Sequence, residues 1–166
     1  MRQVIDNFLN YLAVEKGFSQ NTIVAYRNDL YQLASFVEEE ATKRDFTPSW
    51  ASFGRQGMLS YLLNLKERNY AATTAARKVA AAKSFFSFMV AEGNIKDNPT
   101  LNVTSPRVGK SLPKPISVSQ VRCLLEQPTK LSAPEAKRDR AMLELLYASG
   151  MRVSELVSLN LDDVDT

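Results

Sequence analysis

Apolar residues recur along this chain at helical rather than strand spacing. Ile5, Phe8, Leu9 and Leu12 fall three and four residues apart, which puts them on one side of a helix over residues 3–16. Gly17 ends that helix and Ser19 caps a second, with Phe18 and Ile23 at the spacing of a hydrophobic staple. Ile23, Tyr26, Leu30, Leu33 and Val37 carry the apolar side onward, and the charged run from Glu38 to Asp45 reads as solvated. Thr47-Pro48-Ser49-Trp50 reads as a turn or helix entry, with Trp50 and Phe53 as core anchors. A third helix takes Met58, Leu59, Leu62 and Leu63 and closes at Asn69. A fourth runs from about Ala72 to Ala91, with Ala76, Val79, Phe86 and Val90 on its apolar side and Gly93 as its stop. Its many alanines suit the close approach of another backbone.

The pattern breaks at Asn98-Pro99. Prolines at 99, 106, 113 and 115 stiffen the stretch to Pro115 and keep it out of helix, so the domain boundary is placed there. Ser117 and Gln120 then form a capping box, with Ile116 and Val121 as staple, opening a helix that Pro128 closes. Ser132 and Glu135 form the next capping box, Ala141, Met142, Leu145 and Leu146 line one face, and Gly150 suits a left-handed stop. A short helix follows, with Val153, Leu156 and Val157 as its apolar side. The closing LNLDDVDT alternates as the start of a strand does, but no strand is completed. The expectation is an all-α protein in three parts: a domain over 1–98, a proline-marked linker over 99–115 and a second helical portion over 116–166.

Composition narrows the chemistry. A hydrophobic content of 45% is enough for a packed core. The single cysteine, Cys123, excludes a disulfide within the chain and suits a reducing cytoplasm; beside Leu124 and Leu125 it reads as a buried structural thiol. The absence of histidine removes histidine-based catalysis and the usual zinc sites, so no metal or cofactor is expected. No leader opens the chain and no apolar run approaches a membrane span.

Charge is uneven. Between residues 68 and 114 stand Arg68, Arg77, Lys78, Lys83, Lys96, Arg107, Lys110 and Lys114 against Glu92 and Asp97, a local excess of six in a chain whose total is +3. Such clustering is what a phosphate-tracking surface needs, and it equally describes a solvated helix face followed by a basic linker. Arg77, Lys78 and Lys83 do not share one helical stripe, so they are not all expected to reach one ligand. Asn21, Thr22 and Arg27 flank the apolar side of the second helix, where they are placed to meet a phosphate or a base edge.

The joint at Gly150 is the most specific feature. Arg152 sits just past it, with Glu155 one helical turn on. A guanidinium fixed between two packed elements and oriented by a carboxylate can grip a phosphate; the same spacing also describes an ordinary surface pair. The wording of the whole stretch, RDRAMLELLYASGMRVSELVSLNLDDVD, resembles the first catalytic box of the tyrosine recombinases, the phage-integrase family, and most closely its Xer-type members. NTIVAYRNDLYQLASF resembles the second helix of their core-binding domain, TAARKVAAAKSFFSFMVAEGNIKDNPT its last helix and exit, and SLPKPISVSQVRCLLEQP the linker and first helix of the catalytic domain. Ala71 departs from the serine frequent in relatives ahead of the fourth helix.

The resemblance implies a SAM-like four-helix core-binding domain plus the first helices of a truncated recombinase catalytic domain. Arg152 falls on the family's first catalytic arginine and Glu155 on the acidic residue that supports it. The implied reaction is site-specific DNA recombination: a tyrosine attacks the scissile phosphate, a 3′-phosphotyrosyl bond forms, and a 5′-hydroxyl resolves it without metal or ATP. The implied partners are a double-stranded recombination half-site and other recombinase protomers, assembled as a tetramer on two sites, with no membrane. The family's lysine hairpin, His-x-x-Arg box and nucleophile lie beyond the first arginine, and here no tyrosine follows Tyr147, which itself reads as a core residue. The expectation is therefore an N-terminal recombinase portion that binds and positions DNA but does not cut it alone. A non-catalytic helical DNA-binding regulator and a helical protein-interaction module are the alternatives.

Overall fold

Seven α-helices and two short 3-10 turns make up the regular structure of the computed structural model, which describes residues 1–109, 114–130, 133 and 135–163. Among the described residues there is no strand. The chain divides into two compact units, Met1–Lys110 and Ser111–Thr166.

The first unit is a four-helix module of α1 (Arg2–Val14), α2 (Gln20–Lys43), α3 (Arg55–Glu67) and α4 (Ala72–Ala91). Helix α1 buries Ile5, Phe8, Leu9 and Leu12, the stripe its periodicity predicts. Gly17 turns the chain at φ +63°, a left-handed conformation that a side chain would strain, and Ser19 caps α2 through Thr22 N–H. Phe18 stays partly exposed, with its ring set edge-on to Tyr26, and Ile23 is buried. The charged run after Val37 is the last part of α2, where Glu40 pairs with Lys43 and Arg44.

Helix α3 buries Met58, Tyr61 and Leu65, whereas Leu59 and Leu63 lie outward. Apolar residues occupy most sides of this helix, so its inward stripe is chosen by packing, not by periodicity. On α4 the buried face runs through Ala75, Val79, Ala81, Ala82, Phe85, Phe86 and Met89, and Val90 is turned out. Ala81 and Ala82 are fully buried on this face. Trp50 and Phe53 anchor the core against Phe85 and Phe86, and the Trp50 indole N–H donates to the Met1 carbonyl at 3.1 Å. Beyond α4, Asn98 accepts from both the N–H and the hydroxyl of Thr100, and Pro99, Thr100 and Val103 are buried in the same unit.

The second unit holds α5 (Val118–Glu126), a 3-10 turn (Pro128–Lys130), α6 (Glu135–Ser149), α7 (Val153–Leu156) and a second 3-10 turn (Leu161–Asp163). The α5 capping box is complete: Gln120 N–H donates to Ser117 Oγ at 3.3 Å, and Ser117 N–H donates to Gln120 Oε1 at 2.7 Å. Ile116 is exposed. The second expected box involves Ser132, which lies outside the described residues. Two expectations are corrected here: Cys123 is exposed on α5, and Tyr147 is 62% exposed on α6. They share a physical cause: α5 and α6 bury none of their described side chains fully, so an apolar face in the sequence is not a covered face in the unit. Leu161–Asp163 form the 3-10 turn, in which Asp163 accepts from Asn160 N–H.

Candidate nucleic-acid interface

Arg152 owes its setting to the way α6 ends. Gly150 takes φ +68°, with its N–H bonded to the Leu146 carbonyl, and α7 begins three residues on at Val153. Arg152 is the N-cap of that short helix. Its main-chain N–H donates to Glu155 Oε2 at 2.7 Å and its Nη1 donates to Glu155 Oε1 at 2.8 Å. Arginine has no acceptor, so this is half of a capping box with the carboxylate's second oxygen turned to the guanidinium. The main-chain bond first, and the guanidinium second, hold the Glu155 carboxyl below the usual glutamate range. The Arg152 side chain remains 83% exposed. The arrangement fixes the root and one nitrogen of a guanidinium and leaves its remaining donors open.

In the first unit the basic residues behave differently from one another. Arg77 and Lys83 flank the outward face of α4, and the side chains between them are small: Thr73, Ala76, Ala80, Ser84 and Ser87. Lys83 also edges a hollow of about 480 Å³ beside α1, with Lys16, Tyr11, Phe18 and Phe88. Arg77 reaches across to α2, where Nη1 meets the Ala25 carbonyl at 3.4 Å and the Asp29 carboxylate. Asn21 is exposed one turn before Ala25 on this flank of α2, and the Thr22 hydroxyl lies 3.0 Å from Ser19 Oγ in the cap. Arg27, two residues past Ala25, lies about 200° round the helix and belongs to the opposite flank. Arg107 is exposed, and Lys110 lies outside the described residues.

Lys78 is the surprise. Its side chain is 7% exposed, with Nζ 2.9 Å from Asp29 Oδ1, bonded also to Gln32 Oε1 and 5.1 Å from the centre of the Tyr70 ring. Gln32 in turn donates to the Tyr70 hydroxyl at 2.6 Å, which holds that hydroxyl's ionisation below the ordinary tyrosine value. An ammonium so engaged does not face a ligand, and Lys78 leaves the phosphate-facing set for a physical reason: its charge is spent on Asp29, which is itself 2% exposed. Sequence reasoning missed Asp29, Gln32 and Tyr70 as its partners. Asp29 offered one signal, a carboxylate on the otherwise apolar side of α2.

Two family descriptions match the chain: phage integrase, N-terminal SAM-like domain, over residues 5–93, and phage integrase family over residues 114–166. Tyrosine recombinase XerC of Herpetosiphon aurantiacus is 51% identical over 165 residues, which is 99% of this chain and 52% of that protein. Tyrosine recombinase XerC of Roseiflexus sp. is 46% identical over 165 residues, covering 99% and 51%. Tyrosine recombinase XerD of Pseudomonas aeruginosa is 40% identical over 162 residues, covering 98% and 52%. The chain spans about half the length of these curated relatives.

Proposed function

The chain belongs to the phage integrase family, the tyrosine recombinases, and on that premise we propose that it is the DNA-binding and phosphate-gripping portion of a site-specific, Xer-like recombinase acting in the cytoplasm. The observation that carries this reading is the open guanidinium of Arg152, oriented at its root by Glu155. In the reaction the scissile phosphate gathers negative charge on its non-bridging oxygens, and a fixed guanidinium facing them lowers the barrier electrostatically. Arg152 is that clamp and Glu155 its orienter. Residues 1–98 form the core-binding domain, 99–115 the linker, and 116–166 the opening of the catalytic domain. Arg77, Lys83 and Arg107, with Asn21 and Thr22, track the phosphates of a duplex half-site; Arg27 meets the duplex only if α2 presents both flanks, and Lys110 adds a second base to Arg107 in the linker sequence. The partners in this reading are double-stranded DNA and further recombinase protomers, a tetramer on two sites. Arg152 is one clamp, and none of the chain's six tyrosines follows Tyr147, so in this reading residues 1–166 by themselves hold DNA without cutting it.

The test is fluorescence anisotropy of the chain with a labelled duplex at several salt concentrations. Binding should weaken steeply with salt, each neutralised phosphate adding about 0.9 to the negative slope of log affinity against log salt. Lys83→Ala should flatten the slope, while Arg152→Ala should change equilibrium binding little, because its task belongs to the transition state. Salt-independent binding, or none at low salt, removes the reading. It would favour a helical interaction module, for which the exposed Ile116, Val118, Leu124, Val153 and Val157 of the second unit speak.

A further inference from the structure

Three charged side chains meet where α4 crosses α2, and only one of them reaches the surface. Asp29 is 2% exposed and uses both carboxylate oxygens, Oδ1 toward Lys78 Nζ and Oδ2 toward Arg77 Nη1. The Lys78 side chain is 7% exposed, while that of Arg77 is 44% exposed. Among the described residues, Arg77 meets no acceptor besides Asp29 and the Ala25 carbonyl. A buried ion pair is a poor source of stability, since an apolar pair of similar volume serves as well or better. The charges here therefore call for another role, and the sum of the cluster supplies it. A lone Asp29 would cancel Arg77. With Lys78 neutralising the carboxylate from inside, the cluster keeps one net positive charge, displayed by a guanidinium whose direction is fixed.

We infer that Asp29 is a positioning residue for phosphate contact by Arg77, and that Lys78, buried and out of reach of any ligand, keeps that contact positively charged. The inference rests on the DNA-binding reading above and deepens it: the substituent recognised is a backbone phosphate at the α2–α4 crossing, gripped by an arginine prepared in advance rather than by a free surface side chain. It sorts the two adjacent bases of α4 into one that touches the ligand and one that acts only through its neighbour.

The experiment measures anisotropy of a fluorescein-labelled mixed-sequence duplex against the full chain and its variants over a salt series, with a circular dichroism melt of each. Arg77→Ala should flatten the salt slope by up to about 0.9, the value of one phosphate. Lys78→Gln should flatten it as much, although its side chain never meets DNA, because Asp29 then cancels Arg77. Asp29→Asn, which removes the negative charge and keeps an acceptor for Arg77, should leave the slope as steep as wild type or steeper. The double variant Asp29→Asn/Lys78→Gln should recover the slope that Lys78→Gln loses. A purely structural role would lower the melting temperature in the single variants without this recovery. If Lys78→Gln does not fold, Asp29→Asn and the double variant, which carries no buried charge, give the answer. A flatter slope in either of these two, or a wild-type slope in folded Lys78→Gln or in Arg77→Ala, overturns the inference. Absence of salt-dependent binding by the wild-type chain overturns the DNA-binding reading itself, which keeps the two failures apart.

Discussion

Glu155 accepts twice from a single residue, at the main-chain N–H and at the guanidinium of Arg152. Its carboxyl is held below the usual glutamate range, chiefly by the main-chain bond. A carboxyl whose folded pKa is depressed contributes stability that is present above its unfolded pKa and is lost as pH falls through the folded one. The entry to α7 should therefore stay intact through neutral and mildly acidic solution and loosen only below the ordinary glutamate range. A carbon-detected NMR titration of the Glu155 carboxyl checks this. In Arg152→Ala the midpoint should rise only part of the way to the ordinary value, since the main-chain donor survives. A complete return would mean that the side chain, not the backbone, sets the carboxyl.

Each helix has its own reason for starting and stopping, and those reasons differ in how far they can be read from neighbours in sequence. Ser19 before α2 and Ser117 before α5 cap their helices as predicted, because a cap is settled within four residues. Ser117→Ala should cost about 0.5–2 kcal/mol of the second unit's stability, read as faster amide exchange in α5. Unchanged exchange there would place the helix start elsewhere. The buried stripes of α1 and α2 were equally legible, since polar residues mark the other sides. On α3 the apolar residues leave no such margin, and Tyr61 and Leu65 rather than Leu59 and Leu63 face the core, where the Tyr61 ring centre lies 5.3 Å from that of Phe36 on α2. The candidate site divides in the same way. Arg152 and Glu155 lie three residues apart and were visible as a pair, whereas Lys78 and Asp29 are 49 residues apart, and nothing local reveals that one cancels the other.

At the scale of the molecule the two units have unequal interiors. The first closes a continuous core from all four of its helices, while α5 and α6 bury none of their described side chains fully. Val118, Leu124, Tyr147, Val153 and Val157 are exposed in the second unit, and apolar side chains left in water favour association. Sedimentation velocity of the free chain should show association that grows with concentration, and Val118→Glu with Leu124→Glu should reduce it; a strictly monomeric wild-type chain would contradict this. The indole that closes the first core has an optical meaning as well. Trp50 is the chain's sole tryptophan, walled in by Phe53, Phe85 and Phe86 and tethered to residue 1. Fluorescence excited at the red edge of the ultraviolet absorption thus has its source in the first unit, a built-in lamp. A fusion joined ahead of Met1 is attached at the lamp's own hydrogen-bond partner.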